Sequence, residues 1–155
     1  MPRTGRALRR SPSGRKTNVR PTATTGELGV GYFAAENKDI VTILRGQWVA
    51  IHPSGSGVVL ANATNDQRPA VGMMSQDTSV GATQNVVTDQ VFTLSDWSNV
   101  TGATTLRGGA NYFLDTRSGY MTITAAEILG QVAQRLGRAI SSTQFDIEVG
   151  EAVLL

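Results

Sequence analysis

The chain has 155 residues, enough for one domain with a sizeable core, and 40% of them are hydrophobic. It has no cysteine and one histidine, which excludes disulfides, cysteine nucleophiles and ordinary structural zinc sites. Charged residues make up only 17% of the chain, and no apolar run approaches the ~20 residues that a membrane-spanning helix needs. This composition fits a subunit that lies against neighbouring proteins.

The formal net charge of +2 hides an uneven distribution. Half of the 14 basic residues fall within the first twenty positions, with no acidic residue among them: Arg3, Arg6, Arg9, Arg10, Arg15, Lys16 and Arg20. The rest of the chain has seven basic residues against all 12 acidic ones, a formal charge of −5. The sequence therefore predicts a basic tail on an acidic body.

Residues 1–26 are predicted to be an extended basic arm that is disordered unless bound. Few apolar side chains are present. Helices are interrupted by Pro2, Pro12, Pro21, Gly5 and Gly14, including the amphipathic helix of a transit peptide. Arginine binds phosphate, so nucleic acid is one candidate partner, and an acidic protein surface is the other. The arm has no aromatic residue on which a base could stack, and its charge alone does not choose between the two partners.

Residues 27–155 are predicted to be a single β-rich domain of short strands and glycine-rich turns, as in sandwiches and barrels. In chain order, Ile40 to Leu44 is a β-branched run that we expect to form a strand buried on both faces. Trp48 to Ile51 and Val58 to Leu60 flank Pro53-Ser54-Gly55-Ser56-Gly57, which predicts a hairpin. Asn85 to Leu94 is expected to form one long strand.

The two alternating stretches in the last third of the chain are also predicted strands. Met121 and Ile123 alternate with polar neighbours, and Phe145, Ile147 and Val149 fall on one face of a strand.

The segment 124–140 supports two interpretations. Thr124-Ala125-Ala126-Glu127 is a capping box, and the apolar residues Ile128, Val132, Leu136 and Ile140 then recur every four positions, which indicates a helix. Gly130 and Gly137 oppose it, because each costs roughly 1 kcal/mol in a helix relative to alanine. Residues 131–136 also alternate with period two, so periodicity leaves the choice open.

No group of residues in the sequence predicts catalysis. His52 lies at the end of a predicted strand without a metal-ligand partner, so a turn residue is expected. Asp146 and Glu148 share a strand face, but the solvent side of an amphipathic strand explains them better than a pair of catalytic carboxylates. We therefore expect no catalytic residue, no metal and no cofactor.

The body resembles the small β-barrel accessory proteins of tailed-bacteriophage capsids, known as head-decoration, cement or capsid-fibre proteins. The similarity lies in the order and spacing of glycine-based motifs. These are Gly46-Gln47-Trp48-Val49-Ala50-Ile51, Gly57-Val58-Val59-Leu60-Ala61, Pro69-Ala70-Val71-Gly72-Met73, Phe92-Thr93-Leu94-Ser95-Asp96-Trp97, Thr101-Gly102 through Leu106, Gly109-Ala110-Asn111-Tyr112-Phe113-Leu114, Gly119-Tyr120-Met121-Thr122, residues 130–137 and Ala139-Ile140-Ser141.

The resemblance implies an all-β fold, a compact antiparallel β-barrel or β-tulip, and within 124–140 it favours a turn near 124–129 and a strand near 130–136. It also implies attachment to the major capsid protein on the outside of a virion assembled in the host cytoplasm, and a homo-oligomer, often a trimer. It implies no catalytic residues. The basic arm is not general in these proteins, and it raises the question of whether the chain also threads between capsid subunits.

Three other functions are kept as alternatives. A receptor- or glycan-binding module of a tail or fibre would need Trp48, Trp97, Tyr112 or Tyr120 exposed in a groove, whereas core positions are expected for both tryptophans. A nucleic-acid-binding protein would use the arm, with an affinity that falls steeply with salt. A small hydrolase is the third.

Overall fold

The computed structural model describes residues 31–64 and 66–155. Over these residues the chain forms twelve short strands and one helical turn. The strands of the first half are Gly31–Glu36 (β1), Trp48–Ile51 (β2), Val58–Leu60 (β3), Gly72–Met74 (β4), Thr83–Asp89 (β5) and Val91–Thr93 (β6). After the helix Ser98–Thr101 (α1) come Asn111–Leu114 (β7), Met121–Thr122 (β8), Val132–Ala133 (β9), Arg135–Ala139 (β10), Gln144–Ile147 (β11) and Val153–Leu154 (β12).

The first sheet has the strand order β1-β5-β4-β2-β3, and every pair in it is antiparallel. Its two outer strands approach each other, because Asn37, directly after β1, forms a parallel bridge with Val58 in β3. The backbone N–H of Lys38 donates to the carbonyl of Val58 at 2.8 Å. The sheet is thus rolled towards a small barrel.

The second sheet has the order β6-β11-β10-β7-β8 and is also antiparallel throughout. Its first strand continues directly from the first sheet, because only Gln90 separates β5 from β6. The carbonyl of Gln90 accepts the N–H of Ile147 at 3.0 Å, so this corner is itself hydrogen-bonded to β11. Strands β9 and β12 form a separate two-stranded sheet.

The main hydrophobic core lies between the two large sheets and is rich in aromatic rings. Phe145 is its centre: the ring centroids of Trp48, Trp97 and Tyr112 lie 6.0, 6.1 and 5.8 Å from that of Phe145. The inclined and edge-on ring arrangements are those that aromatic pairs prefer. Room for the Phe145 ring depends on Gly137 in β10, where a Cβ atom would come within 2.8 Å of that ring.

A second, smaller core fills the inside of the rolled first sheet. Val49, Val58, Met74 and Val86 point into it, and Ile43 covers it from the loop between β1 and β2. Alternation along the strands explains how one sheet serves both cores, since successive side chains face opposite sides.

The predicted all-β, antiparallel fold with short strands and glycine-containing turns is confirmed. The hairpin of Trp48–Ile51 and Val58–Leu60 is confirmed with the predicted bounds. Phe145 and Ile147 are fully buried, with Val149 packed against the same core, as their alternation predicted.

Two predicted strands differ in the structure. The run Ile40–Leu44 is not a strand: only Ile43 is buried, while Ile40 is 91% exposed, because the segment crosses the small core and touches it at one residue. The stretch Asn85–Leu94 is two strands, because the chain passes from one sheet to the other at Gln90.

The segment 124–140 contains no helix. A turn closes at its start, where the N–H of Gln131 donates to Ile128 at 3.0 Å, and strands β9 and β10 follow. Gly130 has φ +88°, outside the helical region, and its N–H bonds to Leu155 instead of to a helical partner. The apolar residues at four-residue intervals therefore do not form a helix face. The arm 1–26 and the boundary after it lie outside the described residues.

Candidate assembly surfaces

The described residues contain no cluster of three or more histidines or carboxylates that could hold a metal ion. Within the same part of the chain, no helix is long and apolar enough to cross a membrane. The surface of this part of the chain has two shallow grooves and an unpaired strand edge.

His52 lies at the end of β2, as expected from the sequence. Its Nδ1 atom accepts the backbone N–H of Ser54 at 3.1 Å and lies 2.9 Å from the Ser54 hydroxyl. These contacts engage Nδ1 within the turn at Ser54. The residue thus caps a turn.

The two carboxylates singled out in the sequence lie on the outer side of β11 and just beyond it. Glu148 is exposed and forms an ion pair with Arg135 at 3.0 Å, and the same guanidinium bonds to Asn111. This pairing occupies Glu148 in a surface network instead of in a cleft with Asp146.

Three of the four aromatic residues that a glycan-binding groove would need are in the core. Trp48 and Trp97 have no exposed surface, and Tyr112 is 4% exposed. The Tyr112 hydroxyl accepts the N–H of Arg107 at 2.9 Å. Tyr120 lies at the surface with the guanidinium of Arg117 4.4 Å from its ring centroid.

One shallow groove, of about 410 Å³, lies beside α1. It is lined mainly by threonines and short apolar side chains, with Arg107 as its cation. Among the described residues that line it there is no carboxylate, and its one aromatic residue, Tyr112, is buried.

The second groove, of about 510 Å³, combines apolar and basic side chains, and we call it the basic groove. It is defined by Lys38, Ile40, Val41, His52 and Arg68. Ile40 is 91% and Val41 46% exposed. Neither Lys38 nor Arg68 forms an ion pair with a described carboxylate, so both positive charges remain available.

The loop that forms the basic groove is held rigidly from within. Asn37 is fully buried, and its Nδ2 donates to the carbonyls of Val41 and Thr78 at 3.0 and 2.8 Å. Asp39 lies in the groove, but its carboxylate accepts the N–H groups of Ile40 and Leu60 at 2.7 and 2.8 Å. Its carboxylate is held by the backbone, and with Lys38 and Arg68 opposite one Asp39 the groove has a net formal charge of 2 − 1 = +1.

The turn after β7 contributes Ser118 to the same groove. Arg117 binds the Asp115 carboxylate at 2.7 Å. Burial raises the pKa of Asp115, but the hydrogen bonds and positive charge of Arg117 outweigh it, so the pKa of this carboxyl lies below its usual value. Gly119, in the same turn, exchanges backbone hydrogen bonds with Trp48 in β2 and with Ala61, directly after β3, at 3.0 and 2.7 Å.

The third surface is the edge of the two-stranded sheet, which we call the acidic patch. It is defined by Glu127, Ile128, Leu129, Glu151 and the strand β12. Leu129 is 87%, Ile128 64%, Leu154 54% and Val153 53% exposed. The N–H of Gly130 donates to Leu155 at 2.9 Å, which brings the 128–129 turn next to β12.

Only one edge of β12 is paired, with β9. The backbone groups along the other edge have no partner strand among the described residues, and both faces of β12 are exposed. An apolar strand edge of this kind readily accepts contact from another chain.

The acidic patch has no positive charge of its own. No Lys or Arg occurs between Arg117 and Arg135 or after Arg138. Glu127 and Glu151 are exposed at opposite ends of the β9–β12 ladder and form no ion pair with described residues.

Sequence reasoning missed both charged surfaces. The signals were present: the long intervals without a cation, and the apolar pairs Ile40-Val41 and Ile128-Leu129 beside turn residues. The predicted partner-binding residues of the arm, from Arg3 to Arg20, lie outside the described residues, so their surroundings are not part of this geometry.

Comparison of the sequence with models of protein families and with curated proteins finds no match to either.

Proposed function

We propose that the chain is a virion structural protein that decorates and stabilises a bacteriophage capsid through protein–protein contacts. The observation that carries the proposal is the distribution of exposed apolar side chains. All but Tyr32 are aliphatic, and the three most exposed, Ile40, Leu129 and Ile128, lie in the basic groove or on the acidic patch, where flat protein surfaces can cover them.

The interior of the body supports a structural role. Its buried polar side chains are used to fix loops and strands, as Gln134 does with three hydrogen bonds to the backbone of Ala70 and Gly150. A body stiffened in this way loses little conformational entropy when it binds, which favours its use as a clamp between larger subunits.

The basic arm supplies the second contact in this proposal. Seven positive charges in its first twenty residues can lie along an acidic groove between capsid subunits and extend the reach of a small body. Decoration that binds only the expanded shell stabilises that shell by mass action. The partner is the major capsid protein, and the chain needs no cofactor or metal for this role.

Burial of both tryptophans argues against the receptor- or glycan-binding alternative, because sugar rings stack on exposed aromatic faces. The nucleic-acid alternative depends only on the arm, and the experiment below separates it from the capsid proposal.

The test is co-sedimentation of the full chain, and of a protein lacking residues 1–26, with empty expanded shells of the major capsid protein and separately with duplex DNA. We expect the full chain to bind shells, and we expect the truncated protein, which retains all described strands, to fold but bind at least about 10-fold more weakly.

Binding to DNA alone, lost as salt rises, would replace capsid decoration with the nucleic-acid function. Full-affinity shell binding without residues 1–26 would remove the role given to the arm.

A further inference from the structure

We infer that the acidic patch of one copy of this chain docks into the basic groove of a neighbouring copy. The inference rests on the proposed function and deepens it by naming the contact between subunits. It is argued from the charge, exposure and hydrogen bonding of the two surfaces.

The two surfaces are complementary in charge. The basic groove offers Lys38 and Arg68, and the acidic patch offers Glu127 and Glu151, all four without ion-pair partners among the described residues. Other cations of the body are engaged: Arg117 with Asp115, Arg135 with Glu148, and Arg45 over the Phe92 ring at 5.1 Å. Two of the few unpaired cations therefore lie together in one groove.

Both surfaces also have exposed apolar side chains between their charged residues. Ile40 and Val41 form the apolar part of the groove, and Leu129, Val153 and Leu154 form that of the patch. Docking covers aliphatic side chains on both sides, and the charges at the margins set the orientation.

Hydrogen-bonding groups strengthen this assignment. The free edge of β12 carries backbone groups without a partner strand among the described residues, and the polar side chains of His52 and Ser118 line the groove. Two different surfaces meeting in this way form a heterologous contact, which builds a closed ring when the rotation between copies closes.

The test measures self-association of the full chain by analytical ultracentrifugation over a range of concentrations, without capsid or nucleic acid. One variant reverses the patch, Glu127→Lys with Glu151→Lys. A second reverses the groove, Lys38→Glu with Arg68→Glu. A third combines all four changes, and Arg107→Glu reverses an exposed cation outside both surfaces as the matched control.

We expect wild type and Arg107→Glu to associate equally. Each two-site variant should associate at least about 10-fold more weakly, because like charges then face each other. The variant with all four substitutions should recover most of the association. A mixture of the two two-site variants should recover it as well, since each retains one native surface. Thermal unfolding of each variant checks that these exposed changes leave the fold intact.

Three results would overturn the inference: a wild type that stays monomeric at its highest soluble concentration, a fourfold variant as weak as the two-site variants, or equal weakening by Arg107→Glu. A fourth such result is loss of self-association when residues 1–26 are removed, which would mean that the acidic patch binds the basic arm. Capsid binding is measured separately, so failure of decoration with rescued self-association would reject the proposed function and keep this contact.

Discussion

The two tryptophans of the core differ in the hydrogen bonding of the indole N–H group. Trp48 and Trp97 are both fully buried and both contact Phe145. The indole N–H of Trp97 donates to the carbonyl of Thr143 at 3.1 Å, whereas that of Trp48 has no hydrogen-bond partner among the described residues. Trp48 therefore stabilises the core by packing, but its buried N–H without a partner lowers that stabilisation.

Substitution by phenylalanine should expose this difference. Trp97→Phe removes a hydrogen bond, while Trp48→Phe removes an unpaired donor and leaves a space of similar size. We expect Trp97→Phe to lower the free energy of unfolding by about 1–3 kcal/mol more than Trp48→Phe. Urea unfolding with an unchanged m-value measures the difference. Equal losses in the two variants would mean that the Trp48 N–H is solvated or paired in solution.

At the scale of elements, the turn between β7 and β8 connects the two sheets. Its Gly119 has φ +82°, and a Cβ atom there would lie 2.8 Å from Leu60, so only glycine fits both the backbone and the space. The Asp115–Arg117 pair fixes the first half of the turn. The position of Ser118 at the basic groove follows from both.

The Asp115–Arg117 pair makes the stability of the body depend on pH. Because the pKa of Asp115 is lower in the folded chain, its stabilisation is present above the pKa of an unfolded aspartate, ~3.9, and is lost as pH falls through the folded value. Solvent screens this pair, since the Arg117 side chain is 53% exposed, so we expect less than about 1 kcal/mol.

Asp115→Asn tests this dependence. The variant keeps an acceptor for the backbone N–H of Arg117 but not the charge, so it should be slightly less stable than wild type at pH 7 and equal to it near pH 2. Denaturant titrations across this range measure the gap, which high salt should narrow. A gap that persists at low pH would instead point to lost packing.

The sequence predicted elements well where local pattern and tertiary contacts agree. The β2–β3 hairpin and β11 have both alternation and turn residues, and the structure matches them. Prediction was wrong at Ile40–Leu44, because burial there depends on contact between Ile43 and a core formed by distant strands. The four-residue apolar spacing from Ile128 to Ile140 likewise misled, since pairing with β12 overrides local preference.

The candidate surfaces were less predictable than the fold. Each combines residues far apart in the chain: Lys38 meets Arg68 across the rolled sheet, and Leu129 meets β12 through a two-stranded ladder. Lys38 and Arg68 are 68 − 38 = 30 positions apart, and Leu129 and Val153 are 153 − 129 = 24 positions apart, so only the topology brings them together.

At the scale of the molecule, one buried side chain links distant segments. The Gln134 amide accepts the N–H of Ala70 at 2.8 Å and donates to its carbonyl at 2.9 Å, so it acts as a strand would. It also donates to Gly150 at 3.1 Å. Gln134, which lies between β9 and β10, therefore fixes both the segment that leads into β4 and the segment that leads into β12.

Gln134→Leu keeps the volume and removes these bonds. With the Ala70 N–H and carbonyl left buried and unpaired, we expect the free energy of unfolding to fall by about 2–4 kcal/mol. The control is Gln144→Leu on the exposed side of β11, which should change stability by less than about 0.5 kcal/mol. Thermal and urea unfolding measure both; a similar small effect for the two variants would contradict the linking role.

The passage of β5 into β6 at Gln90 has a consequence for how the body opens. One run of eleven residues is paired in both large sheets. Separating this run from β1 or from β11 disturbs the same stretch of backbone. Local opening of one sheet is therefore coupled to opening of the other, and the two sheets form a single cooperative unit. Slowly exchanging amide protons should therefore occur in both sheets with similar protection, although the sheets bury different faces.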